Sequence, residues 1–147
     1  MGMDIDAAKR NVRRMFDEAF GKGRLDVVDE CVAPGAVDHH ELAGEADFAG
    51  AIKGVIGNLR SAMPDIRYTV EDLIAERDRV ASRVVLTGTH TGEPLFGVPA
   101  AGRPVRVEQY HVVRCDDQGR CLEHWGNVGA GEILRQVGGA ARAGVPA

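Results

Sequence analysis

The chain has 147 residues, enough to bury a core in one domain without covalent staples. Its 18 basic and 22 acidic residues give a formal net charge of -4 at pH 7, and the basic residues form no stripe. These features argue against a nucleic-acid partner. No apolar run approaches the roughly 20 residues that cross a bilayer, so we expect no membrane partner either.

The three cysteines indicate the cellular compartment. Cys31, Cys115 and Cys121 form neither an even disulfide framework nor a metal-binding spacing. Cys115 and Cys121 bracket a turn, which would place them on paired strands, but free thiols in a reducing cytoplasm are the favoured interpretation. The first ten residues, MGMDIDAAKR, contain no apolar signal core. We therefore predict a cytoplasmic protein.

Helical periodicity dominates the N-terminal part of the chain. Apolar residues at helical spacing predict a first helix over residues 1–20, a second over 24–32 and a third over 45–63. A short strand is predicted at residues 36–40. Pro64 closes the third helix because it disfavours helical geometry at the residue before it.

From residue 66 onward the period changes to two, which is typical of half-buried strands. Strands are predicted over 66–71, 80–87, 105–115 and 120–128, followed by a short helix over 131–137. We predict a single domain over residues 1–147, with an ordered core at about 4–138 and a C-terminal tail at 139–147 that is frayed or used in subunit contacts. Helices followed by meandering antiparallel strands predict an α+β fold in which three N-terminal helices pack on one face of a curved sheet and enclose a pocket.

Polar side chains interrupt the inward face of a predicted strand. Gln109 and His111 are two residues apart and share one face, where Val107 and Val113 flank them. Two further histidines, His90 and His124, lie on neighbouring segments. Polar groups interleaved with apolar ones on an inward face are typical of a small-molecule cavity.

Several short motifs together resemble one protein family. They are Met63-Pro64-Asp65, the GTHTG turn at residues 88–92, Gly102-Arg103 before a strand, and Glu123-His124-Trp125. With the rest of the chain from the first helix to residue 139, they resemble the SnoaL-like polyketide cyclases. The resemblance implies the cone-shaped α+β fold of nuclear transport factor 2.

The resemblance also implies a chemistry. The cyclases of this family close rings by intramolecular aldol condensation without metal or cofactor, so we expect neither, and we expect an apolar, oxygen-rich, polyketide-like substrate. The family's Gln and His that contact the substrate correspond to Gln109 and His111, and a pocket Asn corresponds to Asp38. The family's catalytic Asp falls at Gly126, and glycine cannot move a proton. We interpret Gly126 as open space for a bulkier substrate or a water.

Another base is then needed, and His124 shares the face of Gly126. Its ordinary pKa of about 6.5 suits proton transfer at neutral pH. The alternative for His124 is a core histidine hydrogen-bonded across the sheet. Asp38 is either a carboxylate at the pocket mouth or a solvated strand end. We predict His111, His124 and Asp38 as the catalytic residues.

Substrate contacts are predicted for Gln109, which would hold a carbonyl or enolate oxygen, and for Gly126. Phe96, in the Gly/Pro loop, is predicted to act as an apolar lid over the pocket. Tyr68 is assigned to the substrate-binding set as well, although core packing is the competing interpretation.

Histidines at 39, 40, 111 and 124 could converge on zinc, but adjacent strand residues point to opposite faces, so we predict no metal site. Three functions remain open: a cofactor-independent ring-closing enzyme, a hydroxylation-associated relative, and a non-catalytic binding protein. We also expect an apolar outer sheet face that pairs two subunits into a homodimer.

Overall fold

The structure, a computed structural model, describes residues 2–138, so the predicted tail at 139–147 lies outside the described residues. These residues form four α-helices, one π-helical segment and five strands. In chain order the elements are α1 (Ile5–Arg14), the π-helical segment (Met15–Phe20), α2 (Asp26–Cys31), β1 (Val32–Asp38), α3 (Phe48–Ala62), β2 (Arg67–Glu76), β3 (Arg79–Thr89), β4 (Pro104–Cys115), β5 (Cys121–Asn127) and α4 (Ala130–Gln136).

The five strands form one sheet in the order β1-β5-β4-β3-β2. The predicted α+β fold is confirmed, and β2 to β5 are an antiparallel meander. The first strand differs from the prediction because it pairs parallel with β5. Strands joined by a tight turn must run antiparallel, whereas β1 is remote in sequence from its partner. This pairing places Asp38 beside His124.

Side-chain caps fix where the long helices begin. The carboxylate of Asp4 accepts a hydrogen bond from the Ala7 N–H at 3.1 Å, and Asp47 accepts one from the Gly50 N–H at 3.0 Å. The third helix therefore begins at Phe48, three residues later than its periodicity predicts, because Asp47 is the cap.

The π-helical segment turns aromatic residues toward the sheet. Phe16 lies 5.7 Å and Phe20 lies 5.2 Å, between ring centroids, from the Tyr68 ring on β2. Helices with π geometry occur mostly as short insertions at functional sites. In this chain the segment places an aromatic wall against the inner face of the sheet.

The helices cover the inner face of the sheet, and the core is divided. One cluster, which includes Phe16 and Leu86, fills the half near α4, and a second, which includes Val28 and Ile56, fills the half between α2 and α3. Within residues 2–138, no helix is long and apolar enough to cross a membrane.

The outer face of the sheet carries ion pairs. The guanidinium of Arg83 bonds to Asp72 at 2.7 Å and to Glu108 at 3.3 Å, and Arg114 pairs with Glu123. The expectation of an apolar outer face is therefore wrong. Charged residues tolerate this position because each lies beside an opposite charge on the neighbouring strand.

Trp125 also lies on the outer face. The His39 ring stacks on it with centroids 4.9 Å apart, and the Arg79 guanidinium lies 4.9 Å from its ring centroid. Trp125 is thus directed away from the inner face, as its alternation with His124 predicts.

Candidate active site

A cavity of about 250 Å³ lies between the sheet and the helices. Its wall is mostly aromatic and aliphatic. All seven candidate residues from the sequence line it, namely Asp38, Tyr68, Phe96, Gln109, His111, His124 and Gly126.

Four of these side chains form one continuous chain of hydrogen bonds, which we call the relay. Gln109 Nε2 donates to the Val128 carbonyl at 3.0 Å, and Gln109 Oε1 lies 3.1 Å from His111 Nε2. His111 Nδ1 lies 2.8 Å from His124 Nε2, and His124 Nδ1 lies 2.7 Å from Asp38 Oδ1. The relay spans three strands, β4, β5 and β1.

The positions of the protons follow from the fixed acceptors. The Val128 carbonyl can only accept, so it orients the Gln109 amide with its oxygen toward His111, and His111 Nε2 must carry a proton. A neutral His111 then accepts at Nδ1, so His124 Nε2 must donate. If Asp38 is ionised, His124 also donates at Nδ1 and is an imidazolium.

The surroundings of Asp38 favour its ionised form. Burial alone would raise the pKa of this carboxyl, but the hydrogen bonds from His124 and from the Leu42 N–H outweigh burial and lower it. The Leu42 N–H donates to Oδ2 at 2.7 Å, and the His40 N–H approaches Oδ1 at 3.4 Å. A carboxylate that accepts several N–H donors stays charged.

His111 is held neutral. Burial lowers its pKa to about 3, the positive charge of His124 acts in the same direction, and the negative charge of Asp38 opposes both. The relay therefore contains an anion, a cation and a neutral imidazole in sequence. Such a set offers a proton donor and a proton acceptor side by side.

Gly126 has a different part from the one predicted. A Cβ at this position would lie 2.7 Å from His124 Cε1, 2.8 Å from His124 Nε2 and 2.9 Å from His111 Nδ1. The interpretation of Gly126 as open space for a bulkier substrate is wrong, because the two imidazoles fill that space. Glycine is required here so that the two rings can meet.

Two aromatic candidates border the relay. Tyr68 is buried beside Gln109, and burial raises the pKa of its hydroxyl while the Gln109 side chain partly offsets this effect. Phe96 is 52% exposed at the tip of a loop that a pair of hydrogen bonds between Leu95 and Val98 closes. Its position on the cavity wall is that of a partial cover.

Of the remaining histidines, His40 lines the cavity outside the relay, and His39 and His90 do not line it. His39 is on the outer face, 3.0 Å from Glu123, and His40 Nδ1 accepts from the Gly126 N–H at 2.7 Å. His90 is fully buried outside the cavity wall, where its Nε2 lies 2.8 Å from the Glu93 carbonyl. Across residues 2–138, no group of three or more His, Cys, Asp and Glu side chains is placed to hold a metal ion.

The cysteines are free thiols. Cys115 and Cys121 are opposite each other on β4 and β5, as their spacing around the turn predicts. Burial raises the pKa of Cys31 and of Cys115 to about 11 and that of Cys121 to about 12. Thiols in this state are poor nucleophiles at neutral pH.

Two contributors to the site were missed by sequence reasoning. The Leu42 N–H, which holds Asp38, belongs to an irregular loop and left no sequence signal. Ser82 lines the cavity from β3, where it replaces an apolar residue between Val80 and Val84. That interruption of the alternation is a signal, and it resembles the one that revealed Gln109.

The fold and cavity define a class of proteins: cone-shaped α+β domains with a small-molecule pocket between sheet and helices. The family description that matches this chain, over residues 10–137, is SnoaL-like polyketide cyclase. The chain belongs to this family.

Individual relatives agree with this assignment. Aklanonic acid methyl ester cyclase DauD of Streptomyces sp. (strain C5) is 34% identical over 120 residues, which cover 77% of this chain and 70% of DauD. Aklanonic acid methyl ester cyclase DnrD of Streptomyces peucetius is 35% identical over 120 residues, covering 77% of this chain and 78% of DnrD. The crystal structure of wild-type IdmH from Streptomyces antibioticus has a TM-score of 0.72 and 31% identity, covering 89% of this chain and 98% of IdmH.

Proposed function

We propose that this protein is a cofactor-independent cyclase that closes a ring in a polyketide-like substrate by an intramolecular aldol reaction. The observation that carries the proposal is the pair of imidazoles, His111 and His124, joined at 2.8 Å in the cavity wall. An aldol closure needs a base for a C–H proton and an acid for the developing alkoxide, and the pair offers both.

The first step depends on how the two rings share a proton. In the resting relay, the Nε2 proton of His124 is donated to His111 Nδ1. A substrate carbonyl oxygen that accepts this proton replaces His111 as the acceptor. The lone pair on His111 Nδ1 is then free to take a proton from the carbon next to a second carbonyl.

Electrostatic coupling between His111 and His124 favours this exchange of protons. The positive charge of His124 contributes to the low pKa of His111, so this depression weakens as His124 gives up its proton. The enolate carbon attacks the carbonyl carbon, a C–C bond forms as the C=O π bond breaks, and the oxygen that took the proton from His124 becomes a hydroxyl. The product is an isomer of the substrate.

The relay then resets without an external acid. The proton that His111 holds on Nδ1 passes directly to His124 Nε2 when the two rings meet again. Asp38 balances the charge of His124 throughout, and Gln109 keeps the proton of His111 on Nε2, away from the reacting nitrogen. General acid–base catalysis of this kind contributes about 10²–10⁴-fold in rate.

The names of the relatives suggest the first substrate to test. Purified protein is incubated with aklanonic acid methyl ester, and the products are followed by chromatography with mass detection. We expect an isomer of unchanged mass, with turnover reduced at least about a hundredfold by His111→Asn. His39→Asn, the same change on the outer face, is the control and keeps full turnover.

Other results would point elsewhere. Full turnover by His111→Asn would contradict the proposed role of the imidazole pair. A product that gains one oxygen atom would indicate hydroxylation in place of ring closure. A compound that binds to the protein and is released unchanged would indicate a binding protein.

The assembly and location are part of the same proposal. We propose a cytoplasmic homodimer joined through the outer sheet face by a polar contact, in which the 51% exposed Tyr110 lies beside the Arg83–Glu108 pair. Free thiols at Cys31, Cys115 and Cys121 fit a reducing compartment. Light scattering on a sizing column should give twice the chain mass of 15.7 kDa, and Tyr110→Glu should reduce it to the mass of one chain.

A further inference from the structure

The inner face of β3 contains one polar side chain. Val80, Ser82, Val84 and Leu86 alternate along this face, and all four are buried. Ser82 is directly opposite His111 in the β3–β4 register. It also lines the cavity, although only 6% of the residue is exposed.

The hydroxyl of Ser82 differs from the relay in having no partner within the protein. Among residues 2–138, no side chain or backbone group forms a hydrogen bond with it, and, unlike the buried and unpaired His90 Nδ1, it belongs to the wall of the cavity. A buried hydroxyl without a partner destabilises the fold, because it loses its hydrogen bond to water. The Ser82 hydroxyl can therefore find a hydrogen-bond partner only in a molecule that occupies the cavity.

The cavity extends past His111 in two directions, across to Ser82 on β3 and along β4 toward α1. Val113 and Cys115 follow His111 along the inner face of β4, and both line the wall together with Asn11 of α1. Directly opposite residues of an antiparallel pair have Cβ atoms roughly 5 Å apart. A guest that contacts both His111 and Ser82 therefore crosses from β4 to β3.

We propose that Ser82 is a ligand-binding residue that donates a hydrogen bond to a second oxygen of an elongated aromatic guest. This oxygen lies on the part of the guest that crosses toward β3, away from the reacting carbonyl at the imidazole pair. The inference rests on the proposed function for the position of the reacting end. It adds a requirement on the substrate: a second oxygen substituent on the part of the guest that lies over β3.

A binding comparison tests Ser82 without any turnover. The probes are 2,6-dihydroxynaphthalene, which has a hydroxyl at each end, and naphthalene, which has none. Their dissociation constants are measured by fluorescence titration for the wild type, Ser82→Ala and Ser82→Thr. We expect Ser82→Ala to weaken dihydroxynaphthalene about five- to tenfold and to leave naphthalene unchanged, while Ser82→Thr, which keeps the hydroxyl, restores binding.

The comparison separates a contact from a structural effect. If Ser82 only shapes the cavity, both probes respond equally to Ser82→Ala, and the proposal is overturned. It is also overturned if neither probe shows saturable binding to the wild type, since an aromatic-lined cavity with an available hydroxyl would bind such a guest. Circular dichroism melting of each variant confirms that the fold is retained.

A kinetic measurement connects Ser82 to the reaction. With aklanonic acid methyl ester, Ser82→Ala should raise KM about tenfold while kcat changes less than about threefold, because Ser82 contacts a non-reacting part of the substrate. If this compound is not turned over while the naphthalene comparison succeeds, the proposed reaction fails and the Ser82 site stands. If the compound is turned over but Ser82→Ala leaves KM unchanged, the proposed reaction stands and the Ser82 site fails.

Discussion

Gly126 on β5 lies directly opposite His111 on β4, and the space where a side chain at 126 would begin is occupied by the rings of His111 and His124. The absence of a side chain on one strand thus permits a hydrogen bond between side chains of two strands. The resemblance placed a catalytic residue at position 126, but in this chain the rings of His111 and His124 occupy the space of its side chain.

Gly126→Ala tests this relationship. The added Cβ would lie within 3 Å of three ring atoms, so at least one imidazole must move, and we expect the 2.8 Å bond between the rings to be lost. We expect cyclase turnover to fall at least about a hundredfold, with a loss of about 2 kcal/mol in the free energy of unfolding. For the same reason Gly126→Asp should displace the rings and fail to supply a base.

Gly57→Ala is the matched control for this change. Gly57 is an exposed residue of α3, and a Cβ there would meet nothing within 4 Å. Because alanine favours helices over glycine, we expect unchanged turnover and a gain of about 0.5–1 kcal/mol in unfolding free energy. Equal turnover in the two variants would show that the imidazole pair tolerates separation.

Asp38→Asn tests whether the charge of the carboxylate matters. The change keeps the size of the side chain but removes the anion that His124 Nδ1 contacts at 2.7 Å. His124 then loses its charge partner, and we expect turnover to fall about 10²–10³-fold with little change in KM. Initial rates across a range of substrate concentrations provide the measurement.

Asp47→Asn provides the control for Asp38→Asn. Asp47 caps α3 through the Gly50 N–H at 3.0 Å, and asparagine caps helices about as well as aspartate. Turnover and stability should both stay at wild-type values. If both substitutions were equally silent, the negative charge of Asp38 would have no part in catalysis.

The sequence predicted most of the fold because its periodicities are local. The switch from helical to alternating pattern at residue 66 placed the meander, and the shared face of Gln109 and His111 placed two relay residues. The parallel partner of β1 could not be predicted, since no local pattern specifies which free edge a remote strand joins. The same pairing brings Asp38 to His124, so the sequence could not predict that the four relay residues are connected by hydrogen bonds.

The direction of proton donation needed coordinates for a different reason. It depends on the Val128 carbonyl, an acceptor that every residue type provides and that no sequence pattern marks. The ring contacts over Gly126 likewise depend on side-chain positions. The replacement of the family's Asp by glycine does not reveal those positions. The comparison with the family motif did identify position 126 as one where this chain departs from the family.

His111 predicts how stability depends on pH. Its pKa of about 3 in the folded chain lies below the ordinary value of 6.5, so between these values the unfolded chain binds more protons. Stability from this group is therefore complete above pH 6.5 and is lost as the pH falls toward 3. Between pH 6.5 and pH 5 we expect a decrease of about 1.5 kcal/mol in the free energy of unfolding, measured by urea denaturation.

His111→Gln removes the titrating group and should flatten this part of the curve. The relevant quantity is the slope against pH, because the variant also differs from the wild type in absolute stability. Carboxyl groups with lowered pKa values, such as Asp38, titrate below the tested window and do not obscure it. Parallel curves for the two proteins would contradict a buried, neutral His111.

Gly119→Ala tests how the β4–β5 turn closes the end of the cavity against α1. Its φ is +79°, and a Cβ would lie 2.6 Å from Ala8 N and 2.8 Å from Ala7 C, both backbone atoms. We expect a loss of at least about 3 kcal/mol in unfolding free energy. Gly102→Ala has a similar φ of +70° but nothing within 4 Å, so its loss should be only about 1 kcal/mol. If the two substitutions lowered the free energy of unfolding by similar amounts, the positive φ alone, and not the contact with α1, would explain the effect.

Phe96→Ala tests the loop tip as a cover of the cavity. Phe96 is half exposed, and alanine would keep the same φ of +50°, so removal of the ring should leave the free energy of unfolding nearly unchanged. A guest in the cavity would bury part of this ring, and we expect 2,6-dihydroxynaphthalene to bind about tenfold more weakly. Ile74→Ala removes a 66% exposed side chain of β2 that does not line the cavity, and it should leave binding unchanged. Because both substitutions delete exposed apolar surface, only the one over the cavity should weaken affinity, and an equal response would show that Phe96 does not contact the guest.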